Sequence, residues 1–188
     1  NAILKGLERP TQINDGQKEQ LKGGALFCRA LSYFYLVNLF GDVPLVLSTD
    51  FRVNATLPRT AVTQVYSQMV QDLETARAHL PPDYVSANKT RPNSMAATAL
   101  LARVFLYLED WEKAERAASN LIQSGHYQLE ADLGQVFLAE SKETIWQLFP
   151  VLSTSNSAEG NTFIPAAATA RPTYALTPFL LQAFDEKD

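Results

Sequence analysis

Residues 25–34 read Ala-Leu-Phe-Cys-Arg-Ala-Leu-Ser-Tyr-Phe, and residues 99–108 read Ala-Leu-Leu-Ala-Arg-Val-Phe-Leu-Tyr-Leu. The two stretches align without a gap, are identical at four positions and exchange one apolar side chain for another at most of the rest. Repetition of a helix pair is typical of stacked hairpins, because a single hairpin cannot bury its apolar face alone. The repeat therefore predicts an all-α, tetratricopeptide-like superhelix of two helical hairpins, with a short strand and loop region alongside.

The first hairpin is predicted from two runs of apolar residues at helical spacing. Its first helix covers about residues 17–40 and ends at Gly41, which offers a left-handed C-terminal cap. Its second helix is expected to begin with Thr60 as the N-cap and to stop at the Pro81-Pro82 pair.

The second hairpin is predicted in the same way. Its first helix begins with Ser94 as the N-cap, and its second covers residues 111–124, with Gly125 as the C-terminal cap. Three residues fit the small, aromatic and alanine positions of a tetratricopeptide repeat: Ala102, Phe105 and Ala114. The side chains that we expect to be buried are Ala97, Leu100, Leu101, Val104, Phe105, Leu108, Trp111, Ala114, Ala118, Leu121 and Ile122.

The remaining sequence has a different character. Asp132 is expected to begin a short helical turn, residues 143–149 predict a strand, and Thr177 is expected to cap a final short helix. We therefore assign residues 1–149 to a helical core. Residues 150–188 are assigned to a loop and a short helix that continue into a missing C-terminal part.

The composition excludes several classes of function. Sixteen basic and twenty acidic residues give a net charge of −4, so we expect no nucleic-acid partner. Cys28 is the single cysteine, which excludes an internal disulfide, and the two histidines are too far apart in sequence to suggest zinc. Polar residues interrupt residues 25–47, so we expect no membrane-spanning helix there. Neither a metal nor a cofactor is predicted.

An enzymatic function is not predicted either. The sequence has no Gly-x-Ser-x-Gly elbow, no phosphate-binding glycine loop that ends in Lys-Ser/Thr, and no His-Glu-x-x-His pair. A glycosidase would need two carboxylates across a substrate. Glu109 and Asp110 lie in a predicted tight turn, where solvation is the expected role.

The order of several segments resembles the SusD/RagB family of glycan-binding outer-membrane lipoproteins. The most typical segment is residues 26–45, in which RALSYF at residues 29–34 leads into GDVPL at residues 41–45. Further similar segments, in order, are residues 59–60, 72–76, 80–81, 96–108, 111–114, 125–129, 143–146 and 176–184. Members of the family are usually much longer, so the resemblance implies that this chain is an internal fragment.

The resemblance also implies a function and a location. It implies non-catalytic binding of polysaccharide or oligosaccharide at the bacterial cell surface, in the outer membrane, for delivery to a TonB-dependent transporter of the SusC type. Membrane association would occur only through a lipid anchor that is absent from this chain. Cys28 is not the lipid site, because it lies mid-helix without a preceding apolar signal.

A glycan site requires exposed aromatic rings that cover the apolar CH faces of sugars, with polar groups nearby to bond the hydroxyls. Aromatic residues of the helices are expected to lie in the core. The resemblance also implies that the residues that bind glycan lie largely outside the repeat helices, so we select candidates from the loops. Ordinary loop packing is the alternative for each of them. The candidates are Phe51, Arg52, Asn54, Tyr84, Asn88, Asn161, Phe163, Arg171 and Tyr174.

A second hypothesis also fits the repeat. Stacked hairpins present a concave surface, so the chain is alternatively a scaffold that binds a protein or peptide. Substitutions on the exposed hairpin faces would then weaken binding of that partner, and sugars would not compete.

Overall fold

The structure is a computed structural model that describes residues 1–9, 12–148, 162–163, 165, 167, 169–170 and 174–183. The chain divides into two compact units, Asn1–Gln147 and Leu148–Asp188. The helices of the first unit are α1 (Ala2–Leu7), α2 (Asp15–Phe40), α3 (Phe51–Asn54), α4 (Val62–His79), α5 (Ser94–Tyr107), α6 (Trp111–Gln123) and a 3-10 turn (Leu133–Gln135). The described residues are all-α, as predicted, and their one β-bridge pairs Val43 with Thr60.

Helices α2 and α4 form the first hairpin, α5 and α6 form the second, and α4 packs on α5 to join them. The interior is continuous across both hairpins. Its fully buried side chains include Val65, Met69, Leu73, Leu101 and Val104. These residues come from α4 and α5, so the junction between the two hairpins is the centre of the core.

Helix α2 begins and ends close to the predicted positions. Asn14 is its N-cap and accepts a hydrogen bond from the Gln17 amide at 2.8 Å. Gly41 ends it with φ +68° and ψ −131°, which is outside the left-handed helical region that we expected. This backbone conformation strongly favours glycine, because a Cβ would crowd the neighbouring peptide groups.

The predicted N-cap of α4 is wrong. The amide of Thr60 donates to the carbonyl of Val43 at 3.0 Å, so Thr60 belongs to the β-bridge and not to the helix. The first amide of α4, that of Val62, donates instead to the side chain of Asp42 at 3.0 Å. The cap therefore comes from the loop that follows α2, and helix spacing alone does not reveal it.

The N-cap of α5 is Asn93 and not the predicted Ser94. The Asn93 side chain accepts a hydrogen bond from the Ala96 amide at 2.8 Å and donates one to the Pro82 carbonyl at 2.8 Å. Asn93 is only 1% exposed. An amide side chain can donate and accept at once, so Asn93 caps α5 while it also fixes the loop between the hairpins.

Most of the predicted core of the second hairpin is confirmed and Ala118 is only partly buried. The prediction of burial is wrong for Leu108, Trp111 and Ile122. They are 39, 61 and 78% exposed. Helix α6 contacts α5 through alanines and a leucine, whereas Trp111 and Ile122 lie on a different side of α6. No further helix covers that side among the described residues of the first unit.

Helix α2 is the one described helix that is long and apolar enough to cross a membrane, with a mean hydropathy of 1.2. Core helices of soluble proteins pass the same test of length and composition. In this chain Leu26, Phe27, Ala30 and Phe34 of α2 are buried in the core. One helix of this kind is weak evidence for a membrane span, and these four side chains pack within the first unit.

The strand predicted at residues 143–149 is not present among the described residues 143–148. This segment pairs with no strand, and the Gln147 amide makes a single backbone hydrogen bond to the carbonyl of Lys89. Trp146 holds it against the first hairpin: its indole nitrogen donates to the Thr90 carbonyl at 3.0 Å, and its ring packs edge-on against Phe27. The aromatic and branched residues of this segment are explained by packing against helices and not by pairing in a sheet.

The two remaining predicted turns are confirmed. The Asp132 side chain accepts a hydrogen bond from the Gly134 amide at 2.8 Å and caps the 3-10 turn. In the second unit, α7 (Pro178–Leu181) begins after Thr177, whose hydroxyl accepts from the Leu180 amide at 3.2 Å.

Candidate functional site

Two of the candidate aromatic residues are neighbours in the second unit. The ring centroids of Phe163 and Tyr174 lie 5.7 Å apart with a tilt of 47° between the ring planes. Each side chain is 60% exposed. Two tilted, exposed rings form an open aromatic surface with a phenol hydroxyl at one end, which suits a ligand with both CH faces and hydroxyls. The other two candidates of this region, Asn161 and Arg171, lie outside the described residues.

Residues 41–59, which connect α2 to α4 and which we call the first insertion, place three further candidates on α3. Phe51 is 77% exposed. Arg52 pairs with Asp50 at 3.4 Å, and this contact together with the Arg52 amide lowers the pKa of the Asp50 carboxyl. The side-chain nitrogen of Asn54 donates to the Ser48 carbonyl at 3.0 Å. Arg52 and the side-chain nitrogen of Asn54 therefore already have partners within the loop. The side-chain oxygen of Asn54 has no hydrogen-bond partner among the described residues, and the Phe51 ring is open to solvent.

The first insertion is fixed to α2 by a tyrosine that the sequence analysis did not single out. The Tyr33 hydroxyl accepts a hydrogen bond from the Val46 amide at 2.6 Å, and Asn1 donates to the Val46 carbonyl at 2.8 Å. Tyr33 is only 6% exposed. Tyr33 aligns with an identical residue, Tyr107, in the internal repeat, and this match was the one signal of Tyr33 in the sequence. Only the structure shows that the Tyr33 hydroxyl forms a hydrogen bond with the first insertion.

Tyr84 makes contacts that hold the fold together. Its hydroxyl lies 2.7 Å from the Tyr127 hydroxyl and donates to the Ile145 carbonyl at 2.5 Å. Burial and the neighbouring Tyr127 raise the pKa of the Tyr84 phenol. These bonds fasten the loop between the hairpins to the segment after α6, and they leave the Tyr84 hydroxyl with little capacity for a ligand.

Lys89 strengthens the same junction, and the sequence analysis did not identify it. Its ammonium donates to the carbonyls of Ser141 at 3.1 Å and Thr144 at 2.8 Å, and lies within 6.0 Å of two tyrosine ring centres. Its φ of +50° is unusual for a residue with a Cβ. The neighbouring candidate Asn88 is exposed, and its backbone carbonyl accepts from the side chain of Gln147 at 2.7 Å.

The carboxylates considered for catalysis have structural roles. Glu109 lies in the turn between α5 and α6 with φ +59°. Asp110 caps α6, and Lys113 lowers the pKa of its carboxyl. Within the part of the chain that the structure describes, no group of three histidine, cysteine, aspartate or glutamate side chains is placed to hold a metal ion.

Two stacked helical hairpins around a shared core define a helical-repeat protein of the tetratricopeptide-like class. The particular family follows from comparison with known proteins. A family model for SusD-like proteins, described as "Starch-binding associating with outer membrane", matches residues 1–106.

Relatives and solved structures agree with this match. The chain is 30% identical to SusD-like protein P2 of Formosa agariphila over 173 residues, which are 85% of this chain and 33% of that protein. A crystal structure of a SusD superfamily protein from Bacteroides thetaiotaomicron superimposes with a TM-score of 0.72 at 30% identity, over 80% of this chain and 36% of that one. A laminarin-binding SusD-like protein superimposes with a TM-score of 0.64 at 27% identity, over 69% of this chain and 30% of that one.

The chain belongs to the SusD-like family. It spans about a third of the length of SusD-like protein P2 and of the Bacteroides thetaiotaomicron protein.

Proposed function

We propose that the protein that contains this chain binds polysaccharide or oligosaccharide at the bacterial cell surface and delivers it, unchanged, to a TonB-dependent transporter of the SusC type. The exposed pair of Phe163 and Tyr174 supports the binding part of this proposal, and we assign these two rings to the glycan site. Family membership supports the rest.

The ring pair suits a sugar for a physical reason. A pyranose presents apolar CH groups on its faces and hydroxyls at its rim, so a ring beneath it removes apolar surface from water while hydroxyls stay bonded. The rings are already together and do not have to be ordered on binding, which lowers the entropic cost. The loop candidates on α3, above all Phe51, are a second aromatic position outside the repeat helices.

The ring pair is tested by glycan binding to the full-length protein. We expect Phe163→Ala and Tyr174→Ala each to weaken binding about tenfold, which corresponds to about 1.4 kcal/mol. Titration calorimetry against a panel that includes starch and laminarin measures the effect.

The matched control is Phe179→Ala, since Phe179 is an exposed ring of the same unit that is not a candidate. We expect its affinity to equal that of the unchanged protein. If Phe163→Ala and Tyr174→Ala also bind normally, the rings are not part of the glycan site. If the unchanged protein binds no glycan of the panel, glycan capture itself is contradicted.

We further propose that residues 1–149 are the helical core of a longer protein, that residues 150–188 continue into its C-terminal part, and that a lipid anchor outside this chain holds it at the outer membrane. We expect protease added to intact cells to digest the full-length protein, while a periplasmic marker stays intact. Protection of the protein until the outer membrane is opened would contradict exposure at the cell surface.

A further inference from the structure

Helix α3, which carries Phe51, is held by hydrogen bonds within the first insertion and not by helix packing. It has no buried residue and packs against none of the other described helices. Its two ends are bonded to Ser48 instead. The Asp50 amide donates to the Ser48 hydroxyl at 2.9 Å, and the Asn54 side chain donates to the Ser48 carbonyl at 3.0 Å. The position of the Phe51 ring therefore depends on how residues 44–48 are held.

Residues 44–48 are held through the backbone of Val46. The Tyr33 hydroxyl accepts from the Val46 amide at 2.6 Å and lies 3.2 Å from the Val46 carbonyl, to which it can donate. The Asn1 side chain donates to the same carbonyl at 2.8 Å, and Arg29 donates to the Asn1 side-chain oxygen at 2.9 Å. Both backbone polar groups of Val46 are thus satisfied from α2 and from the start of α1.

The internal repeat indicates that this role of Tyr33 accompanies the first insertion. The aligned residue of the second hairpin is Tyr107. Tyr107 is 54% exposed, whereas Tyr33 is 6% exposed, and the Tyr107 hydroxyl makes no hydrogen bond with the described residues. Only residues 108–110 separate α5 from α6. The second hairpin therefore has no long connection for the aligned hydroxyl to hold.

We propose that the Tyr33 hydroxyl positions the Phe51 ring for stacking against a sugar of the bound glycan. This contact is additional to the ring pair of the second unit, and it rests on the proposed function. Phe51 is 77% exposed and can cover the apolar CH face of a pyranose. A ring that is already held in place loses little conformational freedom on binding, so removal of the hydroxyl weakens binding at Phe51.

The first measurement is hydrogen exchange of the full-length protein, followed by mass spectrometry. Tyr33→Phe keeps the ring and removes only the hydroxyl. We expect the amides of Asn54 and Ala55, which are bonded within α3, to exchange about tenfold faster in this variant. Unchanged exchange in α4 and α5 shows that the variant is folded. Tyr107→Phe is the matched control and should leave α3 unchanged. Faster exchange at Val46 alone would show that the hydroxyl does not position α3.

The second measurement is glycan affinity, with the same calorimetric panel. Tyr33→Phe and Phe51→Ala should each weaken binding about fivefold. The double variant should bind no more weakly than Phe51→Ala, because both changes remove the same contact. Tyr33→Phe combined with Phe163→Ala should instead multiply the two losses, since these changes remove different contacts. Tyr107→Phe should bind normally.

Three results would overturn the proposal: normal affinity of Phe51→Ala, normal affinity of Tyr33→Phe, or multiplied losses when these two changes are combined. The ring pair of the second unit is judged separately. Normal binding by Phe163→Ala and Tyr174→Ala, together with weak binding by Phe51→Ala, would refute that pair and support a contact on α3.

Discussion

Arg29→Ala is expected to lower the free energy of unfolding of the protein by about 3–5 kcal/mol. The Arg29 guanidinium donates to both carboxylate oxygens of Asp72, at 2.7 and 2.6 Å, and Gln68 donates to the same carboxylate at 2.8 Å. Asp72 is only 2% exposed. Removal of the guanidinium therefore leaves a buried carboxylate without its countercharge, and this desolvated charge is the source of the cost.

Urea unfolding of the full-length protein measures this change. The control is Arg77→Ala, because Arg77 pairs with Glu74 on the surface of α4, where both side chains are about 40% exposed. That change should cost less than about 1 kcal/mol. The double variant Arg29→Met with Asp72→Leu should regain much of the lost stability, since it removes both charges at once. A loss below 1 kcal/mol for Arg29→Ala would contradict a stabilising role for the pair.

Leu73→Ala is expected to cost about 2–5 kcal/mol, because it leaves a cavity where α4 meets its neighbouring helices. Leu73 has no exposed surface and belongs to the core that is shared by both hairpins. The loss should appear as a lower midpoint in urea with an unchanged slope, since the surface exposed on unfolding stays nearly the same.

Leu39→Ala is the control for this cavity. Leu39 is 72% exposed near the end of α2, so the same chemical change should alter stability by less than about 0.5 kcal/mol. Similar losses for both leucines would show that the centre of the core does not lie at α4.

Helix positions were predictable because apolar spacing and end signals act locally. Asn93 and Ser94 are adjacent, and both can cap a helix, so local preference could not choose between them. The choice depends on the Pro82 carbonyl, which Asn93 reaches at 2.8 Å and which lies in the preceding loop. The prediction of Thr60 as an N-cap is wrong for the same kind of reason, because Asp42, in the loop after α2, caps α4.

Contacts between distant residues had no signal in a single sequence. Arg29 and Asp72 lie 43 positions apart, and Lys89 and Thr144 lie 55 apart, so no helical or strand period connects them. Their pairing depends on how the hairpins and the later segment pack. The position of Tyr84 in the fold depends on a long-range contact of the same kind, with the carbonyl of Ile145. This contact also weakens the case for Tyr84 as a ligand-binding residue.

The sequence by itself determined that the chain is a pair of helical hairpins of the SusD-like family, because repeated helical spacing and ordered segments are local features. Only the tertiary structure decided that Phe163 and Tyr174 are neighbours and that Trp111 is exposed. A loop without a regular spacing of apolar residues gives no signal of which of its aromatic rings are in contact. The apolarity of a helix face likewise shows that the face needs a partner, whereas burial depends on whether another element lies against it.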